Sequence, residues 1–428
     1  MISGEVEQAY VEILTEELVP AMGCTEPVAV AYAGALARRT LGKCPDEVVL
    51  VVSGNIIKNV KSVYVPHTGG RRGLRCAVAA GICYGQADRE LEVLSDSTPE
   101  DQKKIDAWLA GARVDIRRSE AKCLFDIQLT AREDGDEAFV RIAGHHTNVV
   151  EIRRNQTVLV QEEFVDEEVT VPENRKLLTV ENIIGFAESV ELGRVRELLE
   201  RQISCNMAIA REGMEGSYGA EIGKILIKAY GNSLHNRAKA WASAGSDARM
   251  AGCEMPVVIN SHSGNQGLTA SVPVIVYGRE MKVPHDTLLR ALIVSNLVTI
   301  HLKTGIGSLS AYCGATSAGA GAGAGICFLM GGRMEEISHT IVNTLAINSG
   351  MICDGAKPSC AAKIASAVEA GLLGMEMYRH DSQFYGGDGI VIKGVENTID
   401  AVSKLARDGM RETDREVLSI MLGSDAAN

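Results

Sequence analysis

Short runs rich in β-branched residues lie between two stretches of helical pattern. This change from a helical to a strand-like pattern is the sequence feature that most constrains the fold. The runs fall between about residues 45 and 170, and several of them alternate apolar and polar residues as a half-buried strand does. They read, in order, DEVVLVVSG, ELEVLSD, ARVDIRR, CLFDIQLTA, EAFVRIAG, NVVEIRRN and QTVLVQEE. The pattern predicts a group of short strands in this part of the chain.

Apolar residues recur at helical spacing on both sides of this block. The helical pattern covers residues 5–18 and about 28–41 before the block, and it dominates from Val180 onward. We therefore predict an α+β fold class, in which a largely helical domain carries an inserted α+β domain. The predicted limits are residues 1–44 for the N-terminal helices of the helical domain, 45–172 for the inserted α+β domain, and 173–428 for the rest of the helical domain.

A glycine- and alanine-rich run, GAGAGAG at Gly319–Gly325, superficially matches a dinucleotide-binding loop. No β-branched strand leads into it and no strand–helix–strand unit surrounds it, so the match is not supported. The weakly polar stretch from Ala315 to Met330 is also too short and too poorly apolar to span a bilayer. We predict a buried helix that packs through small residues.

The charge balance restricts the classes of partner. The chain has 43 basic and 55 acidic residues, a formal net charge of −12, which argues against nucleic acid and membrane surfaces as partners. The N-terminal sequence MISGEVEQAYVEIL lacks the basic start and apolar run of a secretory signal, so we expect a cytoplasmic protein. Its 11 cysteines should then be reduced thiols that serve packing, metal binding or catalysis.

Three cysteines in the last third of the chain are candidates for metal binding. Cys313 lies in SAYCGATSAG, while Cys353 and Cys360 bound the loop CDGAKPSC, whose glycine and proline bend the backbone and free amide groups to face sulfur or an anion. Three thiolates would leave one iron of a [4Fe–4S] cluster without a protein ligand, as a Lewis-acid cluster requires. A structural zinc site is the alternative, and it would need a fourth ligand.

Cys24 lies in PAMGCTEP, at the joint between the first two predicted helices. Pro27 suits the first turn of the second helix, and Thr25 suits its N-cap. Cys24 would then lie at a helix N-terminus, where the pKa of a thiol is lowered.

Four polar, glycine-flanked strings are candidates for binding a small anionic or zwitterionic substrate: SGNIIKN, VPHTGG, GHHTN and SHSGNQG. Each taken alone is more typical of an ordinary turn. Amide side chains offer donors for a carboxylate, lysine offers a charge, and histidine offers acid–base chemistry. The candidate substrate-binding residues are Asn55, Lys58, His67, Thr68, His146, Asn265 and Gln266.

Five segments together resemble the L-cysteine desulfidase family, whose helical domain is similar to that of the iron–sulfur L-serine dehydratases. They are EELVPAMGCTEPVAVAYAGALAR, SGNIIKNVKSVYVPHTG, SHSGNQGLTASVPV, GSLSAYCGAT and INSGMICDGAKPSCAAKIASAVEAG. The resemblance implies an oxygen-sensitive [4Fe–4S] cluster held by Cys313, Cys353 and Cys360, with Cys24 as the catalytic base. The implied reaction converts L-cysteine to pyruvate, ammonia and sulfide without pyridoxal phosphate.

Two other functions share these residues. An iron–sulfur L-serine dehydratase would use the same site with water as the leaving group. A non-catalytic cysteine-sensing or redox-sensing protein would bind the ligand in the same cavity without turnover. We expect a small amino acid, L-cysteine or L-serine, as the ligand in each case, and we leave open whether the chain forms a homo-oligomer.

Overall fold

The structure is a computed structural model that describes residues 2–23, 25–121, 123–164, 171–307 and 310–422. Its first part combines five helices with seven strands. In chain order these are α1 (Gly4–Glu17), β1 (Pro20–Met22), α2 (Thr25–Leu41), β2 (Glu47–Val52), α3 (Gly54–Val60), α4 (Gly73–Tyr84), α5 (Pro99–Gly111), β3 (Arg113–Arg118), β4 (Asp126–Glu133), β5 (Asp136–Ala143), β6 (Val149–Arg154) and β7 (Thr157–Gln161).

The second part is almost entirely helical. Its elements are α6 (Val180–Ser189), α7 (Arg196–Glu215), α8 (Ile222–Tyr230), α9 (Leu234–Met250), β8 (Pro256–Val258), α10 (Gly264–Glu280), α11 (His285–Ile306), α12 (Gly314–Leu329), α13 (Met334–Asn348), α14 (Cys360–Arg379), α15 (Val395–Lys404) and α16 (Arg411–Leu422). With 61% helix and a mixed six-stranded sheet, the α+β fold class with a largely helical body is confirmed.

The six-stranded sheet has the order β3-β2-β4-β5-β6-β7, in which only β2 and β3 are parallel. In β2, Val48, Leu50 and Val52 are buried and their neighbours are half-buried, as the period-2 alternation predicts. These side chains share a core with α2 and α4. One face of the sheet is therefore covered by helices.

One strand prediction is wrong. The run ELEVLSD forms part of a 3₁₀ helix, Ala87–Glu92, followed by turns. Val93 and Leu94 are both buried although they are adjacent, so the chain cannot be alternating between two faces here. The amide of Val93 bonds to the Glu90 carbonyl at 3.1 Å, which is a turn contact rather than a ladder contact.

The predicted buried helix is confirmed as α12, which packs against α10, α11, α13 and α14 at the centre of the helical body. Its small residues let neighbouring backbones approach closely. A Cβ atom added at Gly319 would lie 2.3 Å from the Ala367 carbonyl oxygen on α14, and one at Gly323 would lie 2.8 Å from the Gly371 carbonyl oxygen. The glycines are therefore required by helix packing.

This packing predicts that Gly319→Ala destabilises the protein by about 1–3 kcal/mol, since the added methyl group meets fixed backbone rather than a flexible side chain. The midpoint of thermal unfolding should fall accordingly. Gly111→Ala is the matched control, because Gly111 ends α5 with no atom within 4 Å of a Cβ and should be close to neutral. Equal midpoints for the two variants would contradict the prediction.

The first two helices belong to different cores. Tyr10 of α1 is buried in the helical core, and its hydroxyl donates to the Leu177 carbonyl at 2.8 Å. The buried side chains of α2 lie in the core of the sheet instead, because α2 packs tightly on α4: a Cβ atom at Gly81 would lie 2.0 Å from the Ala31 carbonyl oxygen. We predicted that both helices join the helical domain, and the packing of α2 differs from that expectation. The limits of the domains remain a prediction.

The last helix, α16, returns to the core of the sheet. Leu418 belongs to that core, and a Cβ atom at Gly54 would lie 2.5 Å from the Leu418 side chain. Asp414 accepts a hydrogen bond from Lys58 of α3, with 2.5 Å between the two atoms. Across the ranges that the structure describes, none of the helices combines the length and the apolar character that crossing a bilayer requires.

Candidate active site

A cavity of about 130 Å³ lies between residues of the sheet core and residues of the helical core. The first side is lined by the start of α2, by α3 and by the loop between β5 and β6. The second side is lined by the end of α9, the start of α10, the end of α11 and the starts of α12 and α14.

All three candidate metal-binding cysteines line this cavity. A short antiparallel contact brings two of them together: the amide of Cys313 bonds to the Met351 carbonyl at 3.0 Å, and the amide of Cys353 bonds to the Ala311 carbonyl at 2.6 Å. Cys360 is the first residue of α14. Residues separated by a 39-residue gap in the sequence therefore meet on one wall.

The loop between Cys353 and Cys360 is held by charge. Asp354 pairs with Lys357 at 2.6 Å and also with Lys363, which donates to the Ile352 carbonyl at 2.7 Å. Because these contacts span both ends of the loop, the two cysteines are held at fixed positions.

The surroundings of Cys353 favour negative charge on its sulfur, whereas the hydrogen bond to Cys353 and burial raise the pKa of Cys313, and burial raises the pKa of Cys360. The hydrogen bond from Cys313 lowers the pKa of Cys353, burial opposes this, and the charges of Lys58 and Lys303 and the amide of Gly355 lower it further. Lys58 and Lys303 are only 3% and 5% exposed. Burial lowers the pKa of Lys303 to about 8, while the neighbouring Cys353 and Cys313 oppose that shift.

These residues have the chemistry to hold an iron–sulfur cluster. Backbone amides of Ala315, Gly355 and Lys357 hydrogen-bond the three sulfurs, and such bonds stabilise thiolate ligands of a cluster. Among the described residues, no group of three or more His, Cys, Asp or Glu side chains is arranged to hold a single metal ion. In a cluster, by contrast, each cysteine binds a different iron.

Gly355 places the loop against α3. Its φ of +92° lies in the left-handed region, and a Cβ atom would lie 2.2 Å from the Lys58 carbonyl oxygen. Only glycine satisfies both the dihedral angle and this approach.

We therefore expect Gly355→Ala to cost about 2 kcal/mol or more, from backbone strain together with the clash against Lys58. Thermal unfolding of the metal-free protein measures the loss. Gly350→Ala is the matched control, because it lies near the same loop with no atom within 4 Å of its Cβ. If both variants unfold at the wild-type temperature, Gly355 is not constrained as described.

Residues 88–419 match the family described as serine dehydratase alpha chain. The chain belongs to this family. Its relatives include a UPF0597 protein of Desulfitobacterium hafniense, 54% identical over 97% of this chain and 96% of the relative. Others from Lachnoclostridium phytofermentans and Treponema denticola are 46% and 44% identical, over 96% and 97% of this chain and 99% and 98% of their own lengths.

Membership of the serine dehydratase alpha chain family supports a lyase of the dehydratase type that acts on a small amino acid. The predicted resemblance to serine dehydratases is confirmed at this level. The narrower resemblance to L-cysteine desulfidases has no support from these relatives, which carry only the name UPF0597 protein.

The cavity in this serine dehydratase-like chain contains four of the seven predicted substrate-binding residues: Lys58, His146, Asn265 and Gln266. Burial lowers the pKa of His146 to about 3, with His262 and His145 adding to the effect, so its ring is neutral near pH 7. The ring packs edge-on against Phe125 with centroids 4.6 Å apart, and its Nε2 atom is buried without a hydrogen-bond partner.

The other three predicted substrate-binding residues do not line the cavity. Asn55 is buried in α3. The hydroxyl of Thr68 donates to the Val65 carbonyl at 2.7 Å within a turn, and the amide of His67 donates to Glu254 at 2.9 Å. The contacts of Thr68 and His67 are therefore those of an ordinary turn, which was the alternative interpretation of this polar string. Cys24 lies outside the described residues, although α2 begins at Thr25.

Sequence reasoning missed several charged or polar residues of the site, among them Glu26, Asn59, Arg249 and Lys303. Glu26 lies within the motif PAMGCTEP, two residues after Cys24, and was not among the predicted site residues. Lys303 interrupts the apolar pattern of α11 while remaining buried, and that break in the pattern is the signal that could have identified it.

Proposed function

We propose that the protein is a carbon–sulfur lyase that converts L-cysteine and water to pyruvate, ammonia and hydrogen sulfide. The observation that carries the proposal is the meeting of Cys313, Cys353 and Cys360 on one cavity wall beside two buried lysines. We propose that these cysteines hold a [4Fe–4S] cluster and that the reaction needs no pyridoxal phosphate. When bound, such a cluster supplies a Lewis acid with one iron free of protein ligands.

In the proposed reaction, Cys24 removes the Cα proton and the Cβ–S bond breaks as sulfide leaves with its electron pair. The product, aminoacrylate, gains a proton at Cβ and loses one from nitrogen to become an imine, which water hydrolyses to pyruvate and ammonia. A general base of suitable pKa typically contributes roughly 10²–10⁴-fold to such a step. Lys58, whose pairing with Asp414 holds it in place, supplies positive charge near the developing anion.

The neighbours of Cys24 support its assignment as the base. The carbonyl of Gly23 accepts a hydrogen bond of 3.0 Å from Arg249, and both Arg249 and Glu26 line the cavity. The residues on both sides of Cys24 in the sequence therefore contact or line the site. The start of α2 at Thr25 adds the positive end of a helix, which favours a thiolate.

An L-serine dehydratase is the second candidate, and the family match favours it. Its reaction differs only in the leaving group, which is water rather than sulfide. The same cavity and the same base would serve both substrates.

Steady-state assays on anaerobically reconstituted protein distinguish the candidates. Release of sulfide and pyruvate from L-cysteine, with little pyruvate from L-serine, is the expected result. Preferential turnover of L-serine would replace the first proposal by the second. A protein with full iron and sulfide content that binds L-cysteine without releasing pyruvate from either amino acid would favour a sensing role and refute the lyase function.

A further inference from the structure

We propose that Arg249 and Glu26 recognise the two charged ends of an α-amino acid, Arg249 binding the carboxylate and Glu26 the ammonium group. This inference rests on the amino-acid lyase function proposed above, and it identifies the residues that select the class of substrate. It assigns the two residues to recognition rather than to proton transfer.

Arg249 lines the cavity and has an unused donor beside Gly264. The residue is 5% exposed, one terminal nitrogen donates to the Gly23 carbonyl at 3.0 Å, and its Nε atom is buried without a hydrogen-bond partner. Gly264 leaves space for the guanidinium group, since a Cβ atom there would lie 2.4 Å from Nε. A buried cationic donor without a partner is costly, and an arriving carboxylate satisfies both its charge and its hydrogen bond.

Glu26 offers the complementary group on the same cavity: burial raises the pKa of its carboxyl group and the charge of Arg249 lowers it, so an arriving ammonium group would favour the ionised form. Its two oxygens accept hydrogen bonds from Asn59 at 3.0 Å and from Thr25 at 3.2 Å, which fixes the carboxylate and leaves further lone pairs free. Among the described residues, no ion pair joins Glu26 to Arg249, although both line the cavity. A cation and an anion held near each other without contact suit a ligand that carries both charges.

Two further acceptors favour an ammonium group. The side-chain oxygens of Asn265 and Gln266 are buried without partners. Gly314 accommodates the second of these side chains, because a Cβ atom there would lie 2.5 Å from the Gln266 Cδ atom. We had expected these amides to donate to a carboxylate, whereas their unpaired oxygens complement a donor such as an ammonium group.

Binding of L-alanine, propionate and ethylamine to the anaerobically reconstituted full-length protein tests the assignment. L-Alanine has both charged groups and no leaving group, so its binding does not require turnover. Propionate lacks the ammonium group and ethylamine lacks the carboxylate. We expect the wild type to bind L-alanine at least roughly 10-fold more tightly than either analogue, as measured by calorimetric competition.

The two substitutions should remove different preferences. Arg249→Gln should weaken L-alanine binding by roughly 10- to 100-fold and abolish the preference over ethylamine, because the carboxylate loses its partner. Glu26→Gln should abolish the preference over propionate and leave propionate binding unchanged. Arg237→Gln is the matched control on the same helix, since Arg237 pairs with Glu280 away from the cavity and should change no affinity.

Several results would overturn the assignment: no binding of L-alanine, equal binding of propionate, or one uniform loss for all three ligands in both variants. Thermal unfolding and iron content check that each variant is folded. If Arg249→Gln does not fold, Arg249→Lys and the wild-type ligand comparison decide the question. Turnover without the preference for L-alanine over its analogues would refute the assignment of Arg249 and Glu26 alone. The preference without turnover would refute only the lyase function.

Discussion

Anaerobically reconstituted Cys353→Ala protein is expected to hold less than about one tenth of the wild-type iron and to lose the brown absorbance of a cluster. Cys353 is the thiol whose surroundings most favour the thiolate, through Cys313, Lys58 and Lys303. Removing it takes away one proposed ligand and the negative charge that Lys58 and Lys303 stabilise at this position. Iron and sulfide counts together with the visible spectrum measure the effect, and turnover should be lost with them.

Cys327→Ala provides the control for this experiment. Cys327 is buried near the end of α12, whereas Cys313 immediately precedes the start of the same helix, and Cys327 does not line the cavity. The Cys327→Ala variant should therefore contain as much iron and sulfide as the wild type. Full iron and sulfide content in Cys353→Ala would show that the cluster has other ligands.

Cys24→Ala should produce the opposite combination, with iron content unchanged and turnover reduced by roughly 10²–10⁴-fold, as expected when a general base is lost. Cys24→Ser should be similarly impaired, because an alcohol remains protonated where a thiol at a helix start can ionise. The measurement is the rate of pyruvate release alongside an iron count on the same sample. Loss of iron in Cys24→Ala would make Cys24 a ligand instead of the base.

The strands could be predicted well because each carries its signal locally. Six of the seven predicted runs contain strands, and β2 shows the alternation most clearly. The strand prediction for ELEVLSD was wrong because a turn buries the adjacent apolar residues Val93 and Leu94. The pattern of a few residues cannot distinguish such a turn from a short strand. The packing of α2 could not be predicted for a different reason. Its sequence shows that it is helical but not which core covers it, and that depends on its close approach to Gly81 of α4.

The site was predictable where residues carried a specific pattern. Cys313, Cys353 and Cys360 could be grouped because the CDGAKPSC loop and the family resemblance marked them, and they do share one cavity. Arg249 could not be found in this way. It ends an ordinary helical pattern, and its role follows only from the unpaired Nε atom and the space left by Gly264.

The docking of α16 on α3 has a consequence for the order of events in the cell. Lys58 is made early by the ribosome, and its partner Asp414 lies 356 residues later. Cys360, too, is translated in the last part of the chain. A chain that has not yet been synthesised as far as Asp414 therefore lacks the counter-ion with which Lys58 pairs in the folded protein. Under the proposal that the three cysteines hold a cluster, chains that stop before α16 would contain all three proposed ligands and yet leave Lys58 without its ion-pair partner.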